Sequence, residues 1–286
     1  LRALSKQSLA SKLINWFDQN KRDLPWRNTT PWGVFVSEFM LQQTPVNRVL
    51  PVWEQWLERW PTPADLAREP KSEVIKAWGR LGYPRRAIRL HESAKVIAAQ
   101  HENQVPRLRE ELIALPGVGD YTAAAIAAFA YGQPTLVLDI NIRRFFSRYF
   151  DGEQFPSSSP SLVERKIRTE LIPVQRGDSW AAATMEFGAL ICTSKNPKCD
   201  ACFLSDQCAW RAAGYPEMEI KRQAKFEGSD RQCRGVVMKV LKERDKASKA
   251  LLSREWPILS QLEKALETLI ADGLIETTGK SYKLAS

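Results

Sequence analysis

Apolar residues recur at three- and four-residue intervals over most of the chain, the spacing that lines them up on one face of a helix. Leu9, Leu13, Trp16 and Phe17 form the first such stripe. The same pattern predicts helices over residues 34–43, 49–60, 71–78 and 86–100, and another over 107–115 with Pro106 at its start. Strand-like alternation is nearly absent until the end of the chain. The fold class is therefore all-α, with short helices and short loops. Two stretches break the pattern. Residues 152–160, with Pro156, Pro160 and three serines, read as a loop between helices, and the polar, aperiodic stretch 213–231 reads as a tether. Beyond it, helical stretches over 236–241 and 258–270 are followed by Gly273, and residues 274–277 and 281–284 flank a Gly279-Lys280 turn. Helix, helix and hairpin suggest a small winged-helix-like module over 232–286; a simple helical cap is the alternative.

Composition narrows the function classes. A chain of 286 residues, 44% hydrophobic and 26% charged, has the make-up of folded domains and excludes disorder on a large scale. The formal net charge of +9 suits a polyanion such as nucleic acid, although an ordinary basic surface gives the same sum. Leu1 to Leu9 show no signal-peptide core, and no apolar run reaches the roughly 18 residues that span a bilayer. A cytoplasmic protein without a membrane segment is expected, and in that compartment cysteines stay reduced.

Four of the five cysteines, Cys192, Cys199, Cys202 and Cys208, fall in the spacing C-x6-C-x2-C-x5-C. Four thiolates in so short a segment call for a metal. Zinc is one candidate, but its ribbons usually pair two C-x2-C knuckles, and only one is present here. An iron–sulfur cluster is the other candidate, because a tight wrap can converge four sulfurs on one cubane. Cys233 lies outside the pattern and reads as a small core residue. Lys195, Lys198 and Arg211 flank the segment, either facing phosphates or simply solvated.

Leu115-Pro-Gly-Val-Gly-Asp-Tyr-Thr-Ala123 lies between two helical stretches. Gly117 and Gly119 are expected to free the backbone for a tight turn at positive φ, so that exposed amides and the next helix's N-terminus grip a phosphate. An ordinary helix–helix corner is the plainer reading. Two carboxylates stand in apolar surroundings. Glu38 lies within Val34-Phe-Val-Ser-Glu-Phe-Met-Leu41, where desolvation would raise its pKa and suit a general acid; the alternative is an exposed Glu on a wet helix face. Asp139 ends the run Thr135-Leu-Val-Leu138 and reads as a helix N-cap, as an ionised carboxylate held low by helix N–H groups, or as both.

Taken together, Arg22-Asp-Leu-Pro-Trp-Arg27, Ser37-Glu-Phe-Met-Leu-Gln-Gln-Thr44, Leu81-Gly-Tyr83, Leu115-Pro-Gly-Val-Gly119, Leu138-Asp139 with Asn141, and the four cysteines resemble the endonuclease III superfamily over residues from about 8 to 212. Within it the chain resembles the A/G-specific adenine DNA glycosylases (the MutY type). The resemblance implies a two-lobed helix-hairpin-helix fold. Residues 1–27 and 138–212 would form an iron–sulfur lobe holding one 4Fe-4S cluster on Cys192, Cys199, Cys202 and Cys208. Residues 28–137 would form a six-helix lobe, followed by the 213–231 linker and the 232–286 module.

The resemblance also implies roles. Glu38 would protonate adenine N7 and later handle the attacking water, Asp139 would stabilise or trap the sugar cation, Asn141 would orient the carboxylates, and Tyr121 would lie near the sugar. Arg22, Trp26 and Arg27 would line the adenine pocket. Gln43 and Tyr83, with Thr44 beside them, would wedge into the base stack near the opposing base, and Gly117, Val118 and Gly119 would contact a phosphate. The reaction implied is hydrolysis of the N-glycosidic bond of a flipped adenine opposite 8-oxoguanine or guanine, in duplex DNA, by a monomer. Tyr121 stands where a lyase carries its Schiff-base lysine, so strong lyase activity is not expected. Ile140 replaces the family's usual glycine and is expected to narrow the site near Asp139. Ala182 replaces a Gln or Glu and is expected to remove one adenine contact. The 232–286 stretch is shorter than the Nudix-like domain of typical members. Thymine or uracil mismatch activity and a non-catalytic DNA-binding relative are the competing readings.

Overall fold

In the computed structural model, which describes residues 5–219 and 225–286, the first stripe folds as expected. Ser5 caps helix α1 (Lys6–Asn20) by accepting the Ser8 amide, and Leu9, Leu13 and Phe17 turn inward with Trp16 half-buried. A 3-10 turn, Pro25–Arg27, carries Trp26 into the interior. Helices α2 (Pro31–Leu41) and α3 (Val46–Arg59) follow close to their expected positions. The five-residue α4 (Pro63–Ala67) was not signalled by periodicity, being too short to show any. It is fixed by a capping box between Thr62 and Asp65 with proline at its first position. Next come α5 (Lys71–Ala77) and α6 (Arg85–Gln100).

The helix expected over 107–115 is confined to α7 (Arg109–Ala114). A tight turn leads to the alanine-rich α8 (Asp120–Tyr131). α9 (Ile140–Phe146) runs on through a wider turn to Gly152, and the loop expected over 152–160 precedes α10 (Leu162–Thr169), whose N-cap is Ser161. α11 (Gly177–Leu190) leads into the cysteine segment, which closes on the one-turn α12 (Ala209–Ala212). Among the described residues no helix is long and apolar enough to cross a membrane.

The chain forms two compact units. One takes in the described residues of Leu1–Phe35, Arg107–Ala114 and Val118–Ile220; the other takes in those of Val36–Pro106, Leu115–Gly117 and Lys221–Ser286. In the first, α1, α8, α9 and α11 surround a core of Leu13, Ile142, Phe145, Phe146, Phe187 and Leu204. Gly177 and Gly188 allow α11 to approach that closely. A Cβ on Gly177 would lie 2.4 Å from the Pro134 Cβ, and one on Gly188 would lie 2.5 Å from the Asn141 carbonyl oxygen.

The second unit includes the chain's C-terminal part. Its helices are three rather than the two read from the sequence: α13 (Asp230–Glu243), α14 (Lys249–Glu255) and α15 (Leu259–Ala271). α14 was missed because its seven residues include four polar ones, but Ser248 caps it and Leu252 anchors it. A two-residue strand β1 (Ala247–Ser248) adds to the hairpin of β2 (Ile275–Thr278) and β3 (Ser281–Leu284), giving an antiparallel sheet in the order β1-β3-β2. Cys233 is fully buried here, the core residue expected, in a cluster that also takes in Ile75 of α5 and Ile88 of α6. Of the 213–231 tether, residues 220–224 lie outside the described residues.

Candidate active site

Asp139 occupies the N-cap of α9. Its Oδ1 accepts the Ile142 amide and its Oδ2 accepts Asn141 Nδ2, each at 2.6 Å. Asn141 Oδ1 in turn accepts Arg144 Nη2 at 3.1 Å. Arg144 is buried and also donates to the Cys192 carbonyl at 2.8 Å and the Gly188 carbonyl. Asp139 is thus an N-cap, as expected, and Asn141 orients it. The expectation of a lowered pKa does not hold. Although the residue keeps some exposed surface, protein atoms crowd its carboxyl. That desolvation pushes the pKa above the usual aspartate range against the pull of Ile142, Asn141 and Arg144. The cap was legible from sequence; the crowding was not. Ile140, the first residue of α9, is 61% exposed.

A second polar cluster in the same unit was missed. Glu186 on α11 is buried, and its carboxylate gathers both candidate pocket arginines. Arg22 donates from its backbone amide at 2.8 Å, from Nε at 2.9 Å and from Nη2 at 2.6 Å, and Arg27 Nη2 lies 3.1 Å from Oε2. Arg27 also donates to the Arg22 carbonyl and lies over the Phe17 ring. Trp26, between them, is buried. Ala182 sits one turn before Glu186 on α11, half-buried against the core. The available signal was the one that marked Glu38, a carboxylate set among apolar neighbours in a helix. Burial pushes Glu186 up, but the bonds from Arg22 and the charges of Arg27 and Arg22 outweigh it and hold the carboxyl below the usual glutamate range.

A lowered folded-state pKa stabilises the fold fully above the unfolded value, and that contribution disappears as pH falls through the folded value. Glu186→Gln is therefore expected to destabilise the protein at neutral pH by about 2 kcal/mol, below the usual loss for a broken buried pair because Arg22 is partly exposed. The gap to wild type should close in acid. Thermal melts at pH 7 and pH 3 check this; equal melting points at pH 7 would contradict it.

Tyr121 lies in the first turn of α8, half-buried against the core around Leu9 and Leu13. In the tight turn before it, Gly117 has φ +79°, and a Cβ there would fall 2.6 Å from the Arg89 Cβ and 3.1 Å from Phe39 Cε1. Both backbone and packing therefore demand glycine. Gly119 departs from expectation. It is extended, at φ −103°, and serves as the N-cap of α8, so only one of the two glycines uses left-handed freedom. Val118 between them is buried.

In the second unit, Glu38 lies on α2 and is only 6% exposed, so the exposed-Glu alternative falls away. Gln43 and Tyr83 both adopt left-handed backbone, φ 54° and 45°, and Tyr83 is exposed. Thr44 is buried and ties their two loops. Its hydroxyl donates to the Leu81 carbonyl at 3.1 Å and accepts Arg86 Nη2 at 2.8 Å.

The four cysteines of residues 192–208 are half-buried and free of disulfides. They line one chamber with Phe145, Tyr149 and Phe187 among its walls. Arg148, fully buried, was not foreseen. It donates from Nη1 to Cys192 Sγ at 3.6 Å, its carbonyl accepts from Cys208 Sγ at 3.5 Å, and its guanidinium lies over the Trp210 ring. Desolvation raises the Cys192 and Cys199 thiols and brings Cys202 to about 11, so without a metal the thiols keep their protons, and binding one would release those protons to solvent. Four sulfurs around one apolar chamber, with a buried cation at its edge, fit an iron–sulfur cluster. Lys195 and Lys198 are exposed, Arg211 pairs with Asp206, and Lys198 and Arg211 reach the chamber's wall.

A glycine-turned helical hairpin, a buried carboxyl on an apolar helix, a capped aspartate and a cysteine-lined chamber define a helix-hairpin-helix DNA glycosylase of the iron–sulfur class. Residues 36–172 match the HhH-GPD superfamily of base excision DNA repair proteins, and residues 192–208 match the iron-sulfur binding domain of endonuclease III. The adenine DNA glycosylase of Mycolicibacterium smegmatis is 44% identical over 273 residues, covering 93% of this chain and 92% of the relative. That of Mycobacterium tuberculosis is 44% identical over 276 residues, covering 94% and 90%. The human adenine DNA glycosylase is 39% identical over 212 residues, covering 70% of this chain and 38% of the human one. Among solved structures, a thermostable thymine-DNA glycosylase superposes with TM-score 0.67 at 28% identity, over 73% of this chain and 97% of that one. An endonuclease III–DNA complex shares the fold at TM-score 0.62 and 22% identity, over 74% and 99%. The chain belongs to the adenine DNA glycosylases, base-excision repair enzymes that carry a 4Fe-4S cluster.

Proposed function

We propose that the chain hydrolyses the N-glycosidic bond of adenine mispaired with 8-oxoguanine or guanine in duplex DNA. The observation that carries this reading is the burial of Glu38 within the apolar α2, a setting that suits a general acid. Glu38 gives that proton to adenine N7, so the base leaves neutral rather than as an anion. Asp139, held by Ile142 and Asn141, stabilises the sugar cation left behind. Water then adds to C1′ and returns a proton to Glu38. Tyr121 faces the sugar, and Arg22, Trp26 and Arg27 frame the base, the arginines pre-set by Glu186. Gln43 and Tyr83 wedge into the stack left by the flipped nucleotide. The turn of Gly117, Val118 and Gly119 grips a phosphate through backbone amides. Cys192, Cys199, Cys202 and Cys208 would hold the 4Fe-4S cluster, which would brace their segment.

A panel of duplexes carrying A, T or U opposite G and opposite 8-oxoguanine tests the substrate. Adenine release from the A-containing duplexes is expected, with T and U retained. Release of T or U in preference to A would replace this reading with mismatch pyrimidine excision.

A further inference from the structure

The loop that presents Tyr83 is held at every carbonyl from residue 79 to residue 82. The Leu81 oxygen accepts from Thr44 Oγ1 at 3.1 Å and Arg86 Nη2 at 3.3 Å; the Gly82 oxygen accepts from Trp78 Nε1 at 2.9 Å and Arg86 Nη2 at 3.1 Å; and the Arg80 oxygen accepts from Arg48. The fourth bond has a different origin. The Gly79 oxygen accepts from Lys242 Nζ at 2.6 Å, and Lys242 belongs to α13 of the C-terminal part. Among the described residues no carboxylate pairs with Lys242, and burial alone draws its ammonium down to about 8, so the loop carbonyl is the partner that holds it.

One further polar contact joins the same two regions. Asp272, just after α15, lies 3.3 Å from Arg85 Nη1, two residues beyond Tyr83. The loop itself requires such holding. Gly79, Gly82 and Tyr83 all have positive φ, and for a tyrosine that conformation persists only where the surroundings over-determine it.

We propose that Lys242 is a positioning residue for the stacking wedge: the C-terminal part, through Lys242 on the Gly79 carbonyl and Asp272 on Arg85, sets the loop that offers Tyr83 to the bases. This rests on the reading of Tyr83 as a wedge given above. It assigns a task to residues 230–286 that does not require them to touch DNA, and it makes that region's packing against α5 and α6 part of substrate engagement.

The test uses the full chain with Lys242→Met, which keeps the aliphatic stem and removes the donor. The probe is a duplex with 2-aminopurine beside the target adenosine, whose 2′-fluoro sugar resists cleavage. Fluorescence reports unstacking, and single-turnover adenine release is followed on the natural duplex. Lys242→Met is expected to lower both the fluorescence rise and the release rate roughly tenfold, the scale of one hydrogen bond to a charged group, with overall affinity kept and with recovery in Lys242→Arg. Arg85→Gln, an exposed change that spares the fold, is expected to act in the same direction and decides the matter if Lys242→Met melts early. A wild-type fluorescence rise in both variants, while Tyr83→Ala abolishes it, would overturn the positioning role and leave the wedge standing. An unchanged rise in Tyr83→Ala would overturn the wedge and the inference with it. Failure of Lys242→Arg to recover what Lys242→Met loses would mark the lysine as structural packing only.

Discussion

Replacing Glu38 by glutamine is expected to lower adenine release by roughly 10³-fold under single-turnover conditions, the middle of the range a positioned general acid contributes. Glutamine keeps the shape of the side chain but has no acidic proton to give. The site should tolerate it, since a neutral amide sits in apolar surroundings at least as easily as a carboxyl, and Glu38 is almost fully buried. DNA affinity should therefore survive. The measurement pairs a binding titration with a rate on the same duplex. A variant that binds and cleaves like wild type removes Glu38 from the chemistry; one that does neither has lost its fold and is replaced by Glu38→Asp.

The second large effect is expected at Asp139. Asparagine there keeps one oxygen for the Ile142 amide, so the α9 cap persists, but it removes the negative charge and presents a donor toward Asn141. The rate should drop by roughly 10³-fold, as when a developing charge loses its electrostatic partner. Its pH dependence carries a sign. The carboxylate is the working form and exists above its pKa, and burial raises that pKa. Activity of the wild-type enzyme should therefore fail on the acid side at a pH above the usual aspartate value of about 3.9. A profile of kcat/KM against pH reads this directly, and an acid limb at the ordinary aspartate position would contradict the crowding around the carboxyl.

What could be read from the sequence divides along physical lines. Stripes such as Leu9, Leu13 and Phe17 announced their helix because a buried face leaves a period behind it. Short elements held by caps, α4 and α14, left no period and were missed. Gly117 and Gly119 look alike as letters, yet only the first is left-handed, because its φ and its approach to Arg89 and Phe39 are set by the fold around it. The cysteines and the two carboxylates stood out by type and neighbourhood. The arginine contacts around them did not, since they join residues far apart in the chain: Glu186 on α11 to Arg22, Arg148 to Cys192, Arg144 to the Gly188 carbonyl.

Arginine was the residue the sequence described least well. The surplus of +9 invited a reading as surface attraction for a polyanion. Yet Arg86, Arg143, Arg144, Arg148 and Arg168 are all buried. Arg86 and Arg144 donate to main-chain carbonyls, and Arg143 and Arg168 pair with Glu164 and Asp151. The formal charge thus overstates what the surface offers to DNA, and the difference is interior bracing by planar, multidentate cations.

Arg144 shows where that bracing leads. One guanidinium serves the carbonyl of the first cysteine in the iron-binding segment and the amide that grips Asp139. Loss of that one guanidinium would therefore loosen the start of the cysteine segment and the aspartate corner together.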